Sequence, residues 1–263
     1  MNEPTIAVVM PAYNEADRID QTIATIARYR ARNPSIQAVI VADDGSTDGT
    51  GDVVRRAATR EGVSVEVLTL PHRGKALAVR AAMLDVADRV TADYLMMLDA
   101  DDELQIDQLD RVDWSVDRRT VYIGRRIGSI GTSPAGRPSP VRRAMSLAMR
   151  VASRVLLSMR FPDTQCGFKL FPRSVVPALF AQQRSTGWTF DAELLFILDR
   201  VSGLPIREVP VVWSPRGTSR VRPVSAALSG LSMFATAAHR LRGVYRPVGV
   251  RPTPASRPAL IKR

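Results

Sequence analysis

The chain has 263 residues, of which 45% are hydrophobic and 24% are charged. This composition excludes collagen-like, coiled-coil and disordered chains and allows one sizeable core. Cys166 is the single cysteine, so an intramolecular disulfide is excluded and a cysteine-based zinc site lacks ligands. The first residues do not resemble a signal peptide, and no stretch reaches the roughly 18 apolar residues of a membrane span. We therefore expect a soluble or peripheral protein in a reducing compartment.

The formal net charge is +11, and the basic residues are unevenly distributed. Residues 118–162 contain ten arginines and no acidic residue, and residues 209–263 contain nine arginines, one lysine and no acidic residue. This segregation predicts a folded molecule with one surface suited to polyanions. Scattered, solvated arginines are the alternative interpretation.

Short apolar runs alternate with polar loops and helical patterns in the first half of the chain. Strands are predicted at Thr5–Met10, Ile36–Val41, Val63–Leu70 and Tyr94–Leu98. Such runs are typical of strands buried on both faces of a parallel sheet. Helices are predicted after the first three strands, and Asn14 and Asp17 are expected to cap the first helix. The alternation predicts an α/β fold with an open, mostly parallel sheet flanked by helices.

Two amphipathic, basic helices are predicted in the second half, after a short strand at Val121–Ile123 and a mobile loop at 128–140. The first, residues 141–159, has an apolar stripe that includes Val155. Its other face carries Arg142, Arg143, Arg150 and Arg154. The second, Pro223–Leu241, has an apolar stripe that includes Phe234 and Leu241. Both patterns are typical of a membrane interface, and ordinary surface helices packed on the sheet are the alternative.

The polar loops of the first half all follow predicted strands. They are Pro11–Asn14, Asp43–Thr50, His72–Lys75 and Asp99–Asp102. Ligands of open α/β sheets bind outside the carboxyl ends of the strands. We therefore expect these loops to converge on one crevice.

The strongest local signal in these loops is the pair Asp99 and Asp101, which ends an apolar strand and is followed by Asp102 and Glu103. Local cations cannot neutralise all of these carboxylates, so a divalent ion bridged to a substrate diphosphate is a chemical solution. A surface acidic cluster is the alternative.

Two other loops carry candidate donor ligands. Lys75 follows Gly74 at a predicted helix start, where an ammonium and backbone amides favour a phosphate. The spacing matches neither a Walker A loop nor a dinucleotide-binding GxGxxG motif, which argues against those two enzyme classes. Asp43 and Asp44 offer a carboxylate for the imide N–H of a nucleobase. Simple helix capping and a solvated lysine are the alternatives.

These motifs together resemble a known family. Pro11–Glu15, Asp43–Asp48, Arg73–Lys75 and Asp99–Asp101 look like the motif series of the inverting glycosyltransferases of family 2, which have the GT-A (Rossmann-like) fold. Asp163–Phe171 (DTQCGFKLF) and Gly187–Leu195 (GWTFDAELL) resemble the dolichyl-phosphate β-glucosyltransferases. The match covers roughly residues 5–245. It implies a single GT-A domain at 1–245, with a donor-binding half at 1–117 and an acceptor- and membrane-facing half at 118–245. Residues 246–263 are expected to be a disordered, basic, Pro-rich tail.

The resemblance also implies roles for individual residues. The nucleoside and donor ligands would be Pro11, Tyr13, Glu15, Asp43, Asp44, Lys75, Asp99 and Asp101. Asp99 and Asp101 would hold Mg²⁺ or Mn²⁺, and Asp101 and Asp191 would be the catalytic residues. The acceptor phosphate would meet Arg126, Arg142, Arg143 and Arg220, because guanidinium groups bind phosphate bidentately. Ala76 and Asp102-Glu103 depart from the family's usual Gly and Gly-Ala.

The expected activity is metal-dependent hexosyl transfer with inversion. The donor would be a UDP-sugar, with glucose favoured, and the acceptor a polyprenyl monophosphate at an anionic membrane surface, with the protein peripheral on the cytoplasmic face. A hydroxyl acceptor with Asp191 as base is the alternative within enzymes. A basic nucleic-acid-binding module or a membrane scaffold is the alternative outside them. We expect no nucleic-acid partner, since such a module leaves the acidic loops unexplained and 6% aromatic residues offer few stacking platforms.

Overall fold

In the computed structural model, the apolar segments form the strands of a mostly parallel sheet. The structure describes residues 3–101, 105–129, 147, 151–214 and 223–248. The strands are β1 (Ile6–Ala12), β2 (Ile36–Asp43), β3 (Glu66–Thr69), β4 (Tyr94–Leu98), β5 (Val121–Ser129), β6 (Phe168–Pro172) and β7 (Ile206–Trp213). The helices are α1 (Ile19–Arg32), α2 (Thr50–Glu61), α3 (Lys75–Arg89), α4 (residues 151–156), α5 (Val176–Ala181), α6 (Phe190–Phe196) and α7 (Pro223–Leu241). A 3₁₀ helix at Ile106–Arg111 and a π-helical turn at Ile197–Val201 complete the described elements.

The sheet has the strand order β3-β2-β1-β4-β6-β5-β7. The pairs β1 with β2, β1 with β4, β2 with β3 and β5 with β7 are parallel, and β6 is antiparallel to β4 and β5. The predicted α/β class with a mostly parallel sheet is therefore confirmed. β3 is shorter than the predicted Val63–Leu70, because it is an edge strand that pairs only with Ile40–Asp43 of β2.

The antiparallel strand β6 determines how the second half joins the first. Its register places Phe168 opposite Leu98 at the end of β4. Because β6 reverses direction, β5 runs the same way as β4, and Arg126 near the end of β5 points to the same edge of the sheet. Residues from both halves thus reach one edge, at the carboxyl ends of β1, β2 and β4.

Both faces of the sheet are buried under helices. Because the side chains of a strand alternate between the two faces, each strand contributes to both cores. Ala7 and Val9 of β1 pack into one core with α3, α5 and α6. Val8 and Met10 pack into the other core with α1 and α2. This doubly covered arrangement explains why the first strands are almost continuously apolar.

Helix α7 turns outward two described residues of its predicted apolar stripe, Phe234 and Leu241. Met233 and Thr236 are the buried side chains on its inner side, whereas Phe234 is 61% exposed and Leu241 is 87% exposed. In α4, Ser153 is buried, and Val151 and Val155 are exposed. Packing of this stripe onto the core, the alternative interpretation of that helix, is confirmed at Ala152, Leu156 and Met159. It is wrong at Val155, which is 71% exposed.

Some predictions lie outside the described residues. They are the loop at 130–140, most of the helix at 141–159, the tail from 249, and the side chains of Asp102, Arg142, Arg143 and Arg220. Within the described ranges, no helix combines the length and the hydropathy needed to cross a membrane.

Candidate active site

The loops after β1 and β2 are joined by backbone-to-side-chain hydrogen bonds. Asn14 adopts a left-handed conformation with φ 54°, and its amide N–H donates to Ser46 Oγ at 2.9 Å. The N–H of Thr47 donates to Asn14 Oδ1 at 2.9 Å. The N-cap residue of α1 is Arg18, and it makes no side-chain cap hydrogen bond, so the prediction of Asn14 and Asp17 as the cap is wrong. Asn14 is used to join two loops, a long-range role that a local capping rule does not consider.

The Asp44 carboxylate organises the loop that leads into α3. It is buried and accepts hydrogen bonds from the backbone N–H groups of Arg73 and Gly74, both at 2.9 Å. It also lies 2.9 Å from His72 Nδ1. Gly74 has φ 92°, a conformation that other residues rarely adopt. Both oxygens of Asp44 are thus engaged by the protein, and they position Lys75 at the start of α3.

A stacked pair of rings forms one wall of the crevice. Tyr13 and His72 lie with ring centroids 4.0 Å apart and planes 16° from parallel, and Tyr13 is 40% exposed. Asp43, which pairs in register with Ala12 next to Tyr13, is buried, and its Oδ1 accepts from the N–H of Ser46 at 3.0 Å. This arrangement gives an open aromatic surface next to a buried carboxylate.

The remaining predicted nucleoside ligands are Pro11 and Glu15, and neither offers an open side chain like that of Tyr13. Pro11 is buried within β1, opposite Ala42 of β2. Glu15 forms an ion pair with Arg18. Pro11 therefore contributes to the crevice through the strand backbone rather than through an open ring.

Lys75 and Asp99 form an ion pair at the centre of the crevice. Lys75 Nζ donates to Asp99 Oδ1 at 2.5 Å, and it lies 5.8 Å from the centroid of the Trp188 ring. Burial raises the pKa of Asp99, but the charge and hydrogen bond of Lys75 outweigh it, so the pKa lies below its usual value. Asp99 is therefore ionised and is already paired with the ammonium group of Lys75.

The second oxygen of Asp99 packs directly on Gly167. A Cβ built on Gly167 would lie 2.1 Å from Asp99 Oδ2. Only glycine fits here, because any side chain would occupy the space of the carboxylate. The glycine of the DTQCGFKLF segment thus gives Asp99 its place at the end of β4.

A buried lysine holds Asp191 on the other side of β6. Lys169 is fully buried, and its Nζ donates to Asp191 Oδ1 and to the carbonyl oxygen of Cys166, both at 2.6 Å. Asp191 lies in the first turn of α6 and is 5% exposed. Burial raises the pKa of Asp191, although Lys169 and Lys75 act in the opposite direction. Its first oxygen is therefore committed to a structural partner.

Arg126 is held at the edge of the crevice by Asp163. Its Nε and Nη2 donate to the two oxygens of Asp163 at 2.7 and 2.8 Å, and its guanidinium lies 5.7 Å from the Trp213 ring. Burial lowers the pKa of Arg126, but Asp163 raises it further, so the guanidinium stays charged. A side of the Arg126 side chain remains solvent accessible, at 37% exposure.

The model for Glycosyl transferase family 2 matches residues 7–180. The chain belongs to glycosyl transferase family 2.

Several proteins similar in sequence to this family 2 glycosyltransferase are named dolichyl-phosphate beta-glucosyltransferases. A dolichyl-phosphate beta-glucosyltransferase from Trichomonas vaginalis is 31% identical, over 81% of the chain and 65% of the relative. One from Drosophila melanogaster is 30% identical, over 92% and 77%, and one from Homo sapiens is 28% identical, over 83% and 70%. The chain thus spans slightly under two thirds of the first of these relatives.

Solved structures confirm the GT-A architecture of the transferase. Mannosyl-3-phosphoglycerate synthase from Rubrobacter xylanophilus superposes with a TM-score of 0.65 at 20% identity, covering 98% of the chain and 78% of that protein. Glucosyl-3-phosphoglycerate synthase from Mycobacterium tuberculosis, solved with Mn²⁺, UDP-glucose and phosphoglyceric acid, gives a TM-score of 0.62 at 19% identity, over 90% and 79%.

The carboxylates of the crevice fit a divalent ion that takes further ligands from water or from a substrate phosphate. No group of three or more His, Cys, Asp or Glu side chains clusters within the described ranges. Magnesium binds through one or two carboxylates completed by water and substrate phosphates, so a full protein cage is not needed. Asp99 is paired with Lys75. A phosphate that binds Lys75 would free the Asp99 carboxylate for the ion, and Asp101 follows two residues later. These two carboxylates are therefore suited to an ion that binds together with a diphosphate.

Sequence reasoning assembled the crevice but missed several of the residues that position it. The structure brings Tyr13, Asp43, Asp44, Lys75, Asp99, Arg126 and Asp191 to the same edge of the sheet. It adds His72, Asp163, Gly167, Lys169 and Trp188, none of which had been assigned a role. Four of these five lie in or beside the two quoted blocks, so the blocks marked the right segments. Their partners could not be named, because those contacts depend on the antiparallel pairing of β6.

Proposed function

We propose that this chain transfers glucose from UDP-glucose to a polyprenyl monophosphate. The observation that carries the proposal is the similarity, over most of the chain, to several proteins named dolichyl-phosphate beta-glucosyltransferases. In this reaction an acceptor phosphate oxygen forms a bond to C1 of glucose. The bond from C1 to the diphosphate breaks, UDP leaves with the electron pair, and the configuration at C1 inverts.

The donor half of the reaction uses the loops after β1 to β4. The exposed Tyr13 ring, backed by His72, is suited to stack on the uracil, with Asp43 beside it. Lys75 would meet the diphosphate, and Asp99 and Asp101 would hold Mg²⁺ or Mn²⁺. The ion, when bound, neutralises charge on the leaving diphosphate.

The acceptor half needs positive charge more than it needs a base. A phosphate monoester is anionic at neutral pH, with a second pKa near 6, so its oxygen attacks without deprotonation. Arg126, which Asp163 orients and which is partly exposed, would bind that phosphate. Arg142, Arg143 and Arg220 are proposed to complete this site.

Asp191 is better placed to orient charge than to remove a proton. Its first oxygen accepts from Lys169, and its side chain is almost completely buried. A hydroxyl acceptor would require Asp191 to be an accessible base. The Lys169 pair therefore favours the phosphate acceptor over the hydroxyl alternative.

The proposed acceptor is a lipid, so the enzyme would act at a membrane surface. We place it as a peripheral protein on the cytoplasmic face, with one transferase domain at 1–245 and a basic tail at 246–263. A nucleic-acid partner is not part of the proposal, since the described crevice is built around carboxylates as well as cations.

The proposal is tested by a donor panel. UDP-glucose, other UDP-sugars and GDP-mannose are incubated separately with the full chain, Mg²⁺ and a polyprenyl phosphate, and products are read by mass spectrometry. The expected result is a hexosyl-phosphate lipid from UDP-glucose, lost in EDTA and in Asp101→Asn with an unchanged melting temperature. Preferential use of a GDP-sugar, or full activity in EDTA, would contradict the donor or the metal assignment.

A further inference from the structure

A loop from the second half of the chain lies against the start of α3. It comprises residues 183–189, between α5 and α6, and we call it the Trp188 loop. Gln183 Nε2 donates to the carbonyl oxygen of Ala76 at 3.0 Å. The Trp188 ring is 40% exposed and lies 5.8 Å from Lys75 Nζ. The loop therefore contacts α3 beside the lysine that is proposed to meet the donor diphosphate.

The back of the Trp188 loop is hydrogen bonded to the carboxylate of Glu193 in α6. The backbone N–H of Ser185 donates to Glu193 Oε2 at 2.8 Å, and that of Arg184 donates to both oxygens at 3.1 Å. Glu193 is fully buried, and among the described residues no basic side chain forms an ion pair with it. A buried carboxylate without a basic partner depends on such donors, so the position of Glu193 and that of the loop backbone are linked.

A further donor to Glu193 comes from the segment that follows α7. The Tyr245 hydroxyl donates to Glu193 Oε1 at 2.7 Å. Burial, together with Glu193, raises the pKa of Tyr245, so the hydroxyl keeps its proton. The Tyr245 ring packs edge-on against Phe196 with centroids 5.8 Å apart, and the N–H of Arg246 donates to Gln182 Oε1 at 2.6 Å. This segment is thus anchored behind the Trp188 loop.

Helix α7 itself is joined to the same loop. Thr189 Oγ1 is hydrogen bonded to Ser232 Oγ of α7 and lies 3.0 Å from Ser185 Oγ within the loop. Thr189 and Ser185 are both buried, whereas Trp188 between them is open to solvent. The loop is therefore held from behind and presents its tryptophan on the crevice side.

We infer that Glu193 and Tyr245 are positioning residues for the donor, because their hydrogen bond holds the Trp188 loop against the start of α3. They act through the loop, which determines where the tryptophan ring lies beside Lys75. Loss of the hydroxyl would leave one oxygen of a buried carboxylate short of a donor, so the carboxylate and the loop N–H groups would have to rearrange. Both residues lie beyond the residues 7–180 that the family model matches. The inference rests on the proposed function, since the donor at Lys75 is part of that proposal.

Tyr245→Phe tests the inference, because it removes one hydroxyl and keeps the ring. In calorimetric titrations of the full chain with Mg²⁺, UDP-glucose should bind this variant about three- to tenfold more weakly than wild type. Tyr29→Phe is the matched control, since Tyr29 on α1 donates to Asp110 Oδ1 at 2.8 Å. That variant should lower the melting temperature by a similar amount and change the affinity for UDP-glucose by less than about twofold. Equal affinities of wild type and Tyr245→Phe would overturn the inference.

Steady-state kinetics separates positioning from simple destabilisation. In Tyr245→Phe, the KM for UDP-glucose should rise by about threefold or more, and the KM for polyprenyl phosphate should stay within about twofold of wild type. A purely structural role would lower the concentration of active enzyme, and thus the apparent kcat, and would leave both KM values unchanged. That second pattern would overturn the inference.

A double-mutant cycle tests whether Tyr245 acts through Glu193. Glu193→Ala should weaken UDP-glucose binding more than Tyr245→Phe does, because the loop N–H groups lose their acceptor as well. Adding Tyr245→Phe to Glu193→Ala should cause little further loss, since the hydrogen bond is already absent. Fully additive losses would overturn the linkage. If Glu193→Ala does not fold, the single variant Tyr245→Phe still decides the inference.

A measurement without donor distinguishes this inference from the proposed function. The full chain is labelled with 5-fluorotryptophan, and Trp188→Phe assigns the Trp188 resonance in the fluorine NMR spectrum. Tyr245→Phe should shift or broaden that resonance in the absence of nucleotide, and Tyr29→Phe should not. If the wild type bound no UDP-glucose, the proposed function and with it the donor role of the loop would fail. Normal binding, with a Trp188 resonance that Tyr245→Phe leaves unaltered, would overturn the positioning role alone.

Discussion

At the scale of single residues, the contact between Lys75 and Asp99 decides how the crevice behaves before the donor arrives. The lysine ammonium occupies one oxygen of a carboxylate that is proposed to hold a metal ion. A cation and a lysine cannot both make their best contact with that oxygen. The incoming diphosphate would attract Lys75 and free Asp99, so donor and metal are expected to bind together.

Lys75→Met tests this competition directly. With the ammonium removed, Mn²⁺ should bind the donor-free protein several-fold more tightly, because Asp99 is no longer neutralised. UDP-glucose should bind more weakly, because a diphosphate ligand is lost. Mn²⁺ titration by electron paramagnetic resonance and UDP-glucose titration by calorimetry measure the two effects, with Lys75→Arg as the charge-retaining control. Weaker Mn²⁺ binding in Lys75→Met would contradict the competition.

Asp191→Asn separates the two acceptor classes. If the nucleophile is a phosphate, the variant should lose less than about a thousandfold in kcat, and the acidic limb of the pH profile should follow the acceptor phosphate near pH 6. The assay uses saturating polyprenyl phosphate. A larger loss, with a wild-type acidic limb that follows a carboxylate, would indicate that a base is required and that the acceptor is an alcohol.

At the scale of elements, the segment from Asp163 to Lys169 connects the two halves of the site. Asp163 holds Arg126, Gly167 packs on Asp99, and Lys169 holds Asp191. One stretch that leads into β6 therefore fixes three charged side chains from three different elements. Substitutions in this segment should therefore weaken binding of the proposed donor and of the proposed acceptor together.

Gly167→Ala is expected to displace Asp99. The added Cβ would fall 2.1 Å from Asp99 Oδ2, so the carboxylate or the backbone must move. Overpacking of this kind costs about 1–3 kcal/mol of stability. Urea unfolding should report that loss, and UDP-glucose binding should weaken with it. Gly187→Ala is the matched control, since a Cβ there meets nothing within 4 Å. Wild-type donor affinity in Gly167→Ala would contradict the packing account.

The Asp163 and Arg126 pair should make stability depend on pH. Burial raises the pKa of Asp163, but Arg126 outweighs it, so the pKa is lower in the folded protein than in the unfolded chain. The stabilisation is therefore fully present above the unfolded-state pKa near 4 and is lost as the pH falls from there through the lower folded-state pKa. Asp163→Asn should cost about 1–2 kcal/mol in unfolding free energy at pH 7, and the difference from wild type should shrink near pH 3. A constant difference would contradict the charge pairing.

The first four strands and their loops could be predicted because local patterns decide them. Apolar runs such as Tyr94–Leu98 identify buried strands without knowledge of their neighbours. Strand β6 contains the buried, charged Lys169, so its pattern does not read as a strand interior. The orientation of α7 was equally hard to predict, since Met233 lies outside the predicted apolar stripe and only packing shows that it faces inward and Phe234 outward.

The candidate site, too, could be predicted only where local patterns and the parallel strand order decide it. The convergence of Lys75 and Asp99 follows from the parallel order of β1 to β4. The pairing of Lys169 with Asp191 joins a strand to a helix 22 residues away, a contact that no spacing rule specifies. The same holds for Asp44, whose carboxylate was expected to be open to a nucleobase but accepts from the backbone of residues 73 and 74.

At the scale of the whole molecule, the fold separates two kinds of surface. The carboxyl edge of the sheet gathers carboxylates and lysines in a crevice. The α4 and α7 region carries apolar side chains among arginines. The proposed substrates, a nucleotide-sugar and a phosphate attached to a lipid chain, would require polar and apolar environments of these two kinds.

The most direct test of the central claim is the structure of the product bond. UDP-glucose, which is α-linked, is incubated with the full chain, Mg²⁺ and a polyprenyl phosphate, and the purified lipid is analysed by proton and phosphorus NMR. Direct attack by the phosphate oxygen predicts a glucosyl phosphodiester with the β configuration at C1. An α-linked product, or glucose attached to a hydroxyl oxygen rather than to phosphate, would contradict it.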